Sequence, residues 1–262
     1  MYIKNYEHKK TAVVTGGAGG LGKAIAIRLA DAGFNIAIVD MNAEQGEIAK
    51  KEIEKHGPCM FVQFDITKCD ECPKVFEQVY EKFNSVDVLI NNAGISKHRG
   101  TTDTIGVPDW DLTLAINLKG LFFMAKAAAP FMEKSGGGSI VNTASIRSYL
   151  ATGDRTLYAI TKKAIRCVNA ELAADFWRYG IRVNSISPGY VLTEMTKVHL
   201  DEPGWLDNQM NIILIDNMVL PEDIGEVVLF LASDESVALS GCDIPCEGGL
   251  NICRGKLPES GV

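Results

Sequence analysis

No stretch of apolar residues in this chain of 262 residues approaches the ~18 that a membrane span requires. Positive charge is also in short supply. Lys and Arg number 26 against 33 Asp and Glu, a formal net charge of −7, which is the wrong sign for a nucleic-acid surface. The opening MYIKNYEHKK carries no apolar core of the secretory kind. A cytoplasmic place is therefore expected, with neither membrane nor nucleic acid as partner. Histidine is sparse, and His8, His56, His98 and His199 form no ligand spacing. The seven cysteines are an odd count in a chain too long to need staples, so they read as reduced thiols. Neither Cys69 with Cys72 nor Cys242 with Cys246 has a histidine close in sequence, and CDECPKVFEQVYEKF reads as an amphipathic helix. No metal site is expected. Internal repeats, low-complexity tracts and linker-like composition shifts are missing too, which leaves one domain over residues 1–262.

What is present is ordinary globular composition, 47% hydrophobic and 23% charged, arranged in strict alternation. β-branched and apolar runs at 11–15, 34–40, 60–64, 86–92, 138–145 and 181–188 read as strands. Helical patterns lie between them: LGKAIAIRLADAG, 43–56, 70–83, roughly 110–134, and a helix from near Arg155 to Gly180. Pro130 predicts a kink or early stop in the fourth. Strands separated by helices in this way imply right-handed βαβ units. The expected fold is α/β, a single doubly wound Rossmann-type domain with a parallel sheet of about seven strands and helices on both faces.

The first strand runs straight into TGGAGGLG (15–22), and a helix follows. Two spacings fit: Gly17, Gly19 and Gly22 spell GxGxxG, while Thr15, Gly16, Gly20 and Gly22 spell TGxxxGxG. Glycines let the backbone approach a pyrophosphate, and the helix N-terminus offers N–H groups and a positive dipole end. The second strand ends at Asp40, where a carboxylate can accept from an adenosine ribose and repel a 2′-phosphate. Met41 stands where a phosphate-binding arginine would be expected, and position 19 is glycine. NAD is thus favoured over NADP as cofactor. Further along, Tyr158 and Lys162 stand four apart in YAITK, on one face of a helix.

TGGAGGLG, NNAG at 91–94, Asn117, Ser145, YAITK at 158–162 and PGYVLT at 188–193 occur in this order. Ser145 precedes Tyr158 by thirteen positions. With these marks the chain resembles the short-chain dehydrogenase/reductase family over nearly its full length. A free phenol has a pKa near ~10, and an adjacent ammonium favours its ionised form. Tyr158 is therefore the expected general acid/base and Lys162 its electrostatic tuner. The resemblance implies that Lys162 also holds the nicotinamide ribose, that Ser145 steadies the reacting oxygen, and that Asn117 keeps a water in a proton relay. Spacing to Tyr158 favours Ser145 over the nearby hydroxyls of Thr143 and Ser148, and a packing role is the alternative for Asn117.

For the cofactor, the resemblance implies contacts from Gly16, Gly20, Leu21, Gly22, Asp40, Asn92, Ala93, Gly94, Tyr158, Lys162, Pro188 and Gly189. Asp65 with Ile66 matches an adenine contact, with a helix N-cap as the alternative for Asp65. Val191 and Thr193 match positions that grip the nicotinamide carboxamide, while Asn91 reads as structural support. Ser148, preceded by Arg147, and Cys246 with Glu247 depart from the family pattern and weaken inference about substrate. A lid over about 194–218, with Met195, Trp205, Met210, Ile212, Ile213 and Leu214, fits a partly apolar substrate. Arg147, His98, Arg99 and Tyr190 are candidates to meet a polar or anionic group.

The expected function is an NAD-dependent oxidoreductase interconverting a secondary alcohol and a ketone, of polyol, sugar-derivative or hydroxysteroid type. A 3-oxoacyl carrier-protein reductase and a non-catalytic NAD-binding sensor are the rivals. Small residues on the helix of Tyr158 (Ala164, Ala170, Ala173, Ala174) suit close subunit packing, and with the resemblance they imply a homotetramer or homodimer.

Overall fold

The computed structural model describes residues 9–98, 100–151, 153–193, 196 and 201–252. In chain order the strands are β1 (Thr11–Thr15), β2 (Asn35–Asp40), β3 (Cys59–Gln63), β4 (Val88–Asn91), β5 (Gly138–Thr143), β6 (Ile181–Pro188) and β7 (Asp243–Cys246). Among the described residues they form one seven-stranded sheet in the order β3-β2-β1-β4-β5-β6-β7. Every pairing is parallel, with Thr11 opposite Asn35 and Ala12 opposite Val88. The chain leaves β1 toward β2 on one side and returns to β4 on the other. This reversal opens a crevice at the carboxyl ends of β1 and β4, where open α/β sheets bind ligands.

The sheet holds because both of its faces are apolar. Ala12 and Val14 of β1 point into one core and Val13 into the other. Likewise Ile36 and Ile38 of β2 oppose Ala37 and Val39. Strands buried on both sides must be continuously apolar, which is how these runs read. Helices α1 (Gly20–Asp31) and α8 (Pro221–Ala232) cover the first face. Helix α3 (Cys72–Phe83) and the long helix ahead of β5 cover the second. Helix α2 (Ala43–Ile53) packs along β2 and β3, and α6 (Thr156–Phe176) along β6.

Two elements differ from expectation. The long helix consists of α4 (Val107–Leu114), a π-helical turn (Ala115–Gly120) and α5 (Leu121–Lys134). It runs through Pro130 to Lys134, so the proline is not a stop. Pro130 and Lys126 both face solvent, where water can satisfy the carbonyl that the missing N–H leaves open. The irregularity falls instead at the π-turn, which carries Asn117. By length and composition Val107–Lys134 is also apolar enough to cross a membrane, although no single apolar run stands out. Its buried side packs on α3 and β4. The second is β7, which contains Pro245 and lies at the sheet edge, where a missing N–H is tolerated.

Candidate active site

The crevice is a cavity of about 760 Å³. At one end lies the loop between β1 and α1. Gly16 has φ +65, and a Cβ there would stand 2.9 Å from Ala93 Cα. A Cβ on Gly22 would stand 2.2 Å from the Gly16 carbonyl oxygen. Only glycine permits this turn. Helix α1 then starts without a side-chain cap or an acidic residue in its first turn, so its N–H groups remain for an anion. Gly16, Gly20 and Leu21 line the cavity. Asp40 lines it as well; its carboxylate accepts from the backbone N–H groups of Ala18 (3.3 Å) and Asn42 (3.0 Å).

The end of β4 is tied to this loop. The Thr15 hydroxyl accepts from the N–H groups of Asn92 and Ala93, both at 3.1 Å, and Asn92 Nδ2 donates to the carbonyls of Thr15 and Gly16, both at 3.3 Å. Asn91 instead donates to Asn142 Oδ1 at 3.0 Å within the sheet, the support role expected of it. Asn92, Ala93 and Gly94 line the cavity, as do Pro188, Gly189, Val191 and Thr193 at and beyond the end of β6.

At the other end, β5 and α6 bring Ser145, Tyr158 and Lys162 together on the cavity wall. Ser145 leaves β5 in extended conformation, and its hydroxyl accepts from Arg147 N at 3.2 Å. Lys162, 3% exposed, donates to the Thr143 carbonyl at 2.5 Å, with its Nζ 5.4 Å from the centre of the Tyr158 ring. Asn117, in the π-turn, accepts from Ile95 N at 2.8 Å. It donates to Ile95 O at 2.9 Å and to Thr161 Oγ1 at 3.1 Å. Its amide thus fixes the chain after NNAG against α6, one residue from Lys162. The π-turn aims this side chain inward, as such turns do at functional sites.

Burial raises the Tyr158 phenol above its ordinary value of 10. Ser145 and then the Arg155 and Arg147 guanidiniums pull it back down. The Lys162 ammonium is itself withdrawn from water and donates to the Thr143 carbonyl. Burial pushes Lys162 down to about 8.

Not every expected residue joins the cavity. Gly22 is buried beneath the loop. The Asp65 carboxylate accepts from Thr67 N and Thr67 Oγ1, at 2.9 and 2.8 Å, a local turn rather than a helix N-cap, since the short helix that follows is capped at Lys68. Ile66 is buried and would lie 2.9 Å from a Cβ on Gly120. His98 is turned to Thr104 (3.2 Å) and Asp109 (3.6 Å). Arg99 and Met195 lie outside the described residues. Ser148 donates to the Lys162 carbonyl at 2.8 Å, so this departure anchors the turn of α6 that carries the lysine. Glu247 is buried behind Gly189 and accepts from Asn251 N at 3.1 Å. Cys246 shares that edge, where burial pushes its thiol up to about 12.

Tyr190 lines the cavity beside Trp205, their rings edge-on at 6.3 Å. Trp205 and Gln209 stand at i and i+4 on α7 (Trp205–Ile212) and both line the cavity. Ile213 packs with Ile146 and Leu250, and Leu214 is exposed. Sequence reasoning missed Ser96, Asp154, Arg155 and Gln209, which border the same cavity. Two of its atoms are buried without a hydrogen-bond partner, Thr143 Oγ1 and Gln209 Oε1. Such orphans are rare in native proteins. Together with the glycine cradle and Asp40, the donor and acceptor set fits a bound dinucleotide with a polar substrate beyond it.

The profile of a family described as Enoyl-(Acyl carrier protein) reductase matches residues 16–251. D-threitol dehydrogenase of Mycolicibacterium smegmatis is 35% identical over 244 residues, 93% of each chain. A 3-oxoacyl-[acyl-carrier-protein] reductase of Thermotoga maritima is 34% identical over 251 residues, covering 93% of this chain and 98% of its own. The solved structure of a short-chain type dehydrogenase/reductase from Mycobacterium ulcerans superimposes with a TM-score of 0.90 at 27% identity, over 95% of this chain and 92% of that one. The chain belongs to the short-chain dehydrogenase/reductase family. It is an oxidoreductase of the alcohol-handling kind, in a family that uses nicotinamide cofactors.

Proposed function

We propose that this chain is an NAD-dependent oxidoreductase that interconverts a secondary alcohol and a ketone. One observation carries the reading: a single cavity joins the β1–α1 glycine loop and Asp40 to Ser145, Tyr158 and Lys162. The bound nicotinamide supplies the hydride acceptor or donor. Gly16, Gly20 and Leu21 hold the pyrophosphate on the start of α1. Asp40 accepts from the adenosine ribose and disfavours a 2′-phosphate. Val191 and Thr193 hold the carboxamide, and Lys162 the second ribose.

Ser145 donates to the substrate oxygen and fixes it beside the phenol. Tyr158 accepts the hydroxyl proton during oxidation and returns it during reduction. Asn117 acts as a positioning residue that clamps the chain at Ile95 against α6. Support for a polyol-like alcohol comes from the relative named D-threitol dehydrogenase.

A 3-oxoacyl carrier-protein reductase is the second reading, supported by the Thermotoga maritima relative of that name. Asp40 and the net charge of −7 weigh against it, since an acidic carrier wants a basic surface. The intact Ser145–Tyr158–Lys162 set weighs against a non-catalytic sensor. A homotetramer belongs to the same proposal, with a homodimer as its alternative. It is supported by apolar side chains left exposed on α4, α5 and α6, namely Val107, Trp110, Leu112, Phe122 and Ile160. So does a cytoplasmic place, in keeping with the six free cysteines among the described residues.

The test is to mix the protein with NAD or NADP and a panel of secondary alcohols, following absorbance of the reduced cofactor. Turnover with NAD well above that with NADP is expected. Turnover with NADP and acyl-carrier substrates alone would select the second reading, and cofactor binding without any turnover would select the sensor.

A further inference from the structure

We propose that the Gln209 carboxamide of α7 receives a second hydroxyl of the substrate, so that the alcohol handled here is a diol or polyol rather than a monohydroxy compound. This substrate class deepens the dehydrogenase reading and rests on it.

Gln209 is 9% exposed and borders the cavity, and its Oε1 is buried with no hydrogen-bond partner among the described residues. Glutamine is ordinarily a surface residue. A buried amide oxygen with nothing to accept from destabilises the fold that holds it. Other polar groups that border the cavity are committed elsewhere. Thr196 Oγ1 donates to the Val191 carbonyl at 2.6 Å and accepts from Thr193 N at 2.8 Å. Arg155 Nη1 donates to Ser96 Oγ at 2.7 Å, and Arg147 and Arg155 both pair with Asp154. A donor brought by a ligand therefore completes the site.

The carboxamide is also held in a fixed place relative to the reacting groups. Met210 and Ile212 of α7 pack with the buried Ile146, Ile213 and Leu250, and Ile146 directly follows Ser145. Just beyond the helix, Leu214 N donates to the Gly248 carbonyl at 2.7 Å. Helix α7 is thus pinned to the turn that carries Ser145. Trp205, four residues before Gln209 on the same face, meets the Tyr190 ring edge-on at 6.3 Å. These two rings offer an apolar wall to the carbon skeleton of a substrate and leave the carboxamide as the polar point beside it.

The chemistry of the orphan selects its partner. An amide oxygen only accepts. Ketone, ether and carboxylate oxygens have no hydrogen to give it, whereas a hydroxyl has. In the proposed reaction Ser145 and Tyr158 take the reacting hydroxyl, so the hydrogen for Gln209 comes from a different one. The other orphan at the cavity, Thr143 Oγ1, is a hydroxyl that can donate or accept, and it says less about the ligand.

Two arms test this. In the first, butane-2,3-diol is compared with butan-2-ol, and cyclohexane-1,2-diol and cyclohexane-1,4-diol with cyclohexanol, each offered with NAD. The best diol is expected to exceed its monohydroxy counterpart about 30-fold in kcat/KM, mainly through KM. In Gln209→Met, which keeps the length of the side chain and removes the acceptor, that ratio should approach one because the diol alone loses. Equal use of diol and monohydroxy alcohol by the parent, or a preference that survives Gln209→Met, overturns the proposal.

In the second arm, ligand-observed NMR measures binding of the same alcohols to the NADH-loaded protein, where none can be oxidised. The same preference for diols and its loss in Gln209→Met are expected. The melting temperature of ligand-free Gln209→Met should equal or exceed that of the parent, since an unpaired buried amide is gone, and NADH affinity should stay within about twofold. A lower melting temperature with both kinds of alcohol weakened equally would make Gln209 a structural residue and overturn the proposal. So would a loss of NADH affinity with the diol preference intact, which would assign the carboxamide to the cofactor. Failure of every alcohol to be oxidised strikes the dehydrogenase reading instead, and the binding arm still decides the role of Gln209.

Discussion

The two ends of the cavity are built from different materials. The cofactor end is main chain: the turn at Gly16, the uncapped start of α1, and strand ends tied together through Thr15 and Asn92. The end proposed for the substrate is side chain: Arg147, Arg155, Tyr190, Trp205 and Gln209 line the cavity there. Main-chain sites constrain which residues fit, because a Cβ collides with backbone that cannot move. Side-chain sites constrain only reach and charge. In the function proposed above, the first end would serve any reaction that uses the same cofactor, and the second would decide which alcohol enters.

Substitutions can separate these ends. The largest effect is expected at their junction: Tyr158→Phe should lower kcat by about 10³-fold while NADH affinity stays within about twofold. Next, Gly22→Ala should act on the cofactor end alone. Its Cβ would press on the Gly16 carbonyl at 2.2 Å, costing about 3 kcal/mol of stability by overpacking. NADH affinity should fall about 100-fold, read by calorimetry and fluorescence titration.

Lys162→Met has a pH signature. The ordinary lysine value of 10.5 falls to about 8 on folding. Between those values the unfolded chain binds a proton that the folded chain has released, so stability rises with pH across that window. The penalty of the buried ammonium is fully present below about pH 8. The variant should therefore melt higher than the parent at neutral pH, by roughly 3 kcal/mol at most. The gap should narrow toward pH 10.5, and a gap independent of pH would contradict this. The smallest effect is Ser148→Ala, which removes the hydrogen bond to the Lys162 carbonyl. It should cost about 1 kcal/mol with turnover within about threefold, whereas Ser145→Ala should lose most activity.

The same division explains what could be read in advance. The glycine loop, Asp40, NNAG and YAITK are legible because backbone approach and helix spacing fix both residue type and interval. The alternating apolar runs also announce the sheet, since strands buried on two faces admit little else. Strand β7 was less legible, because Pro245 breaks the pattern and only its edge position excuses it. The π-turn around Asn117 leaves no periodic trace, so the proline drew attention that belonged fifteen residues earlier. Asp65 matched a family position, yet its carboxylate is engaged by Thr67. Arg155 reaches the cavity because its loop pairs with Gly100, a contact that no local pattern encodes. Burial raises the Tyr158 phenol while Ser145, Arg155 and Arg147 lower it, influences that spacing along the chain does not announce.

The most direct test of the central claim follows the hydrogen itself. Secondary alcohols deuterated at the carbinol carbon would be incubated with the protein and NAD, and the reduced cofactor analysed by mass spectrometry. Deuterium in the nicotinamide with the parent chain, and almost none with Tyr158→Phe, is the predicted result. Cofactor bound tightly with no deuterium transferred from any alcohol, or transfer undiminished in Tyr158→Phe, would contradict it.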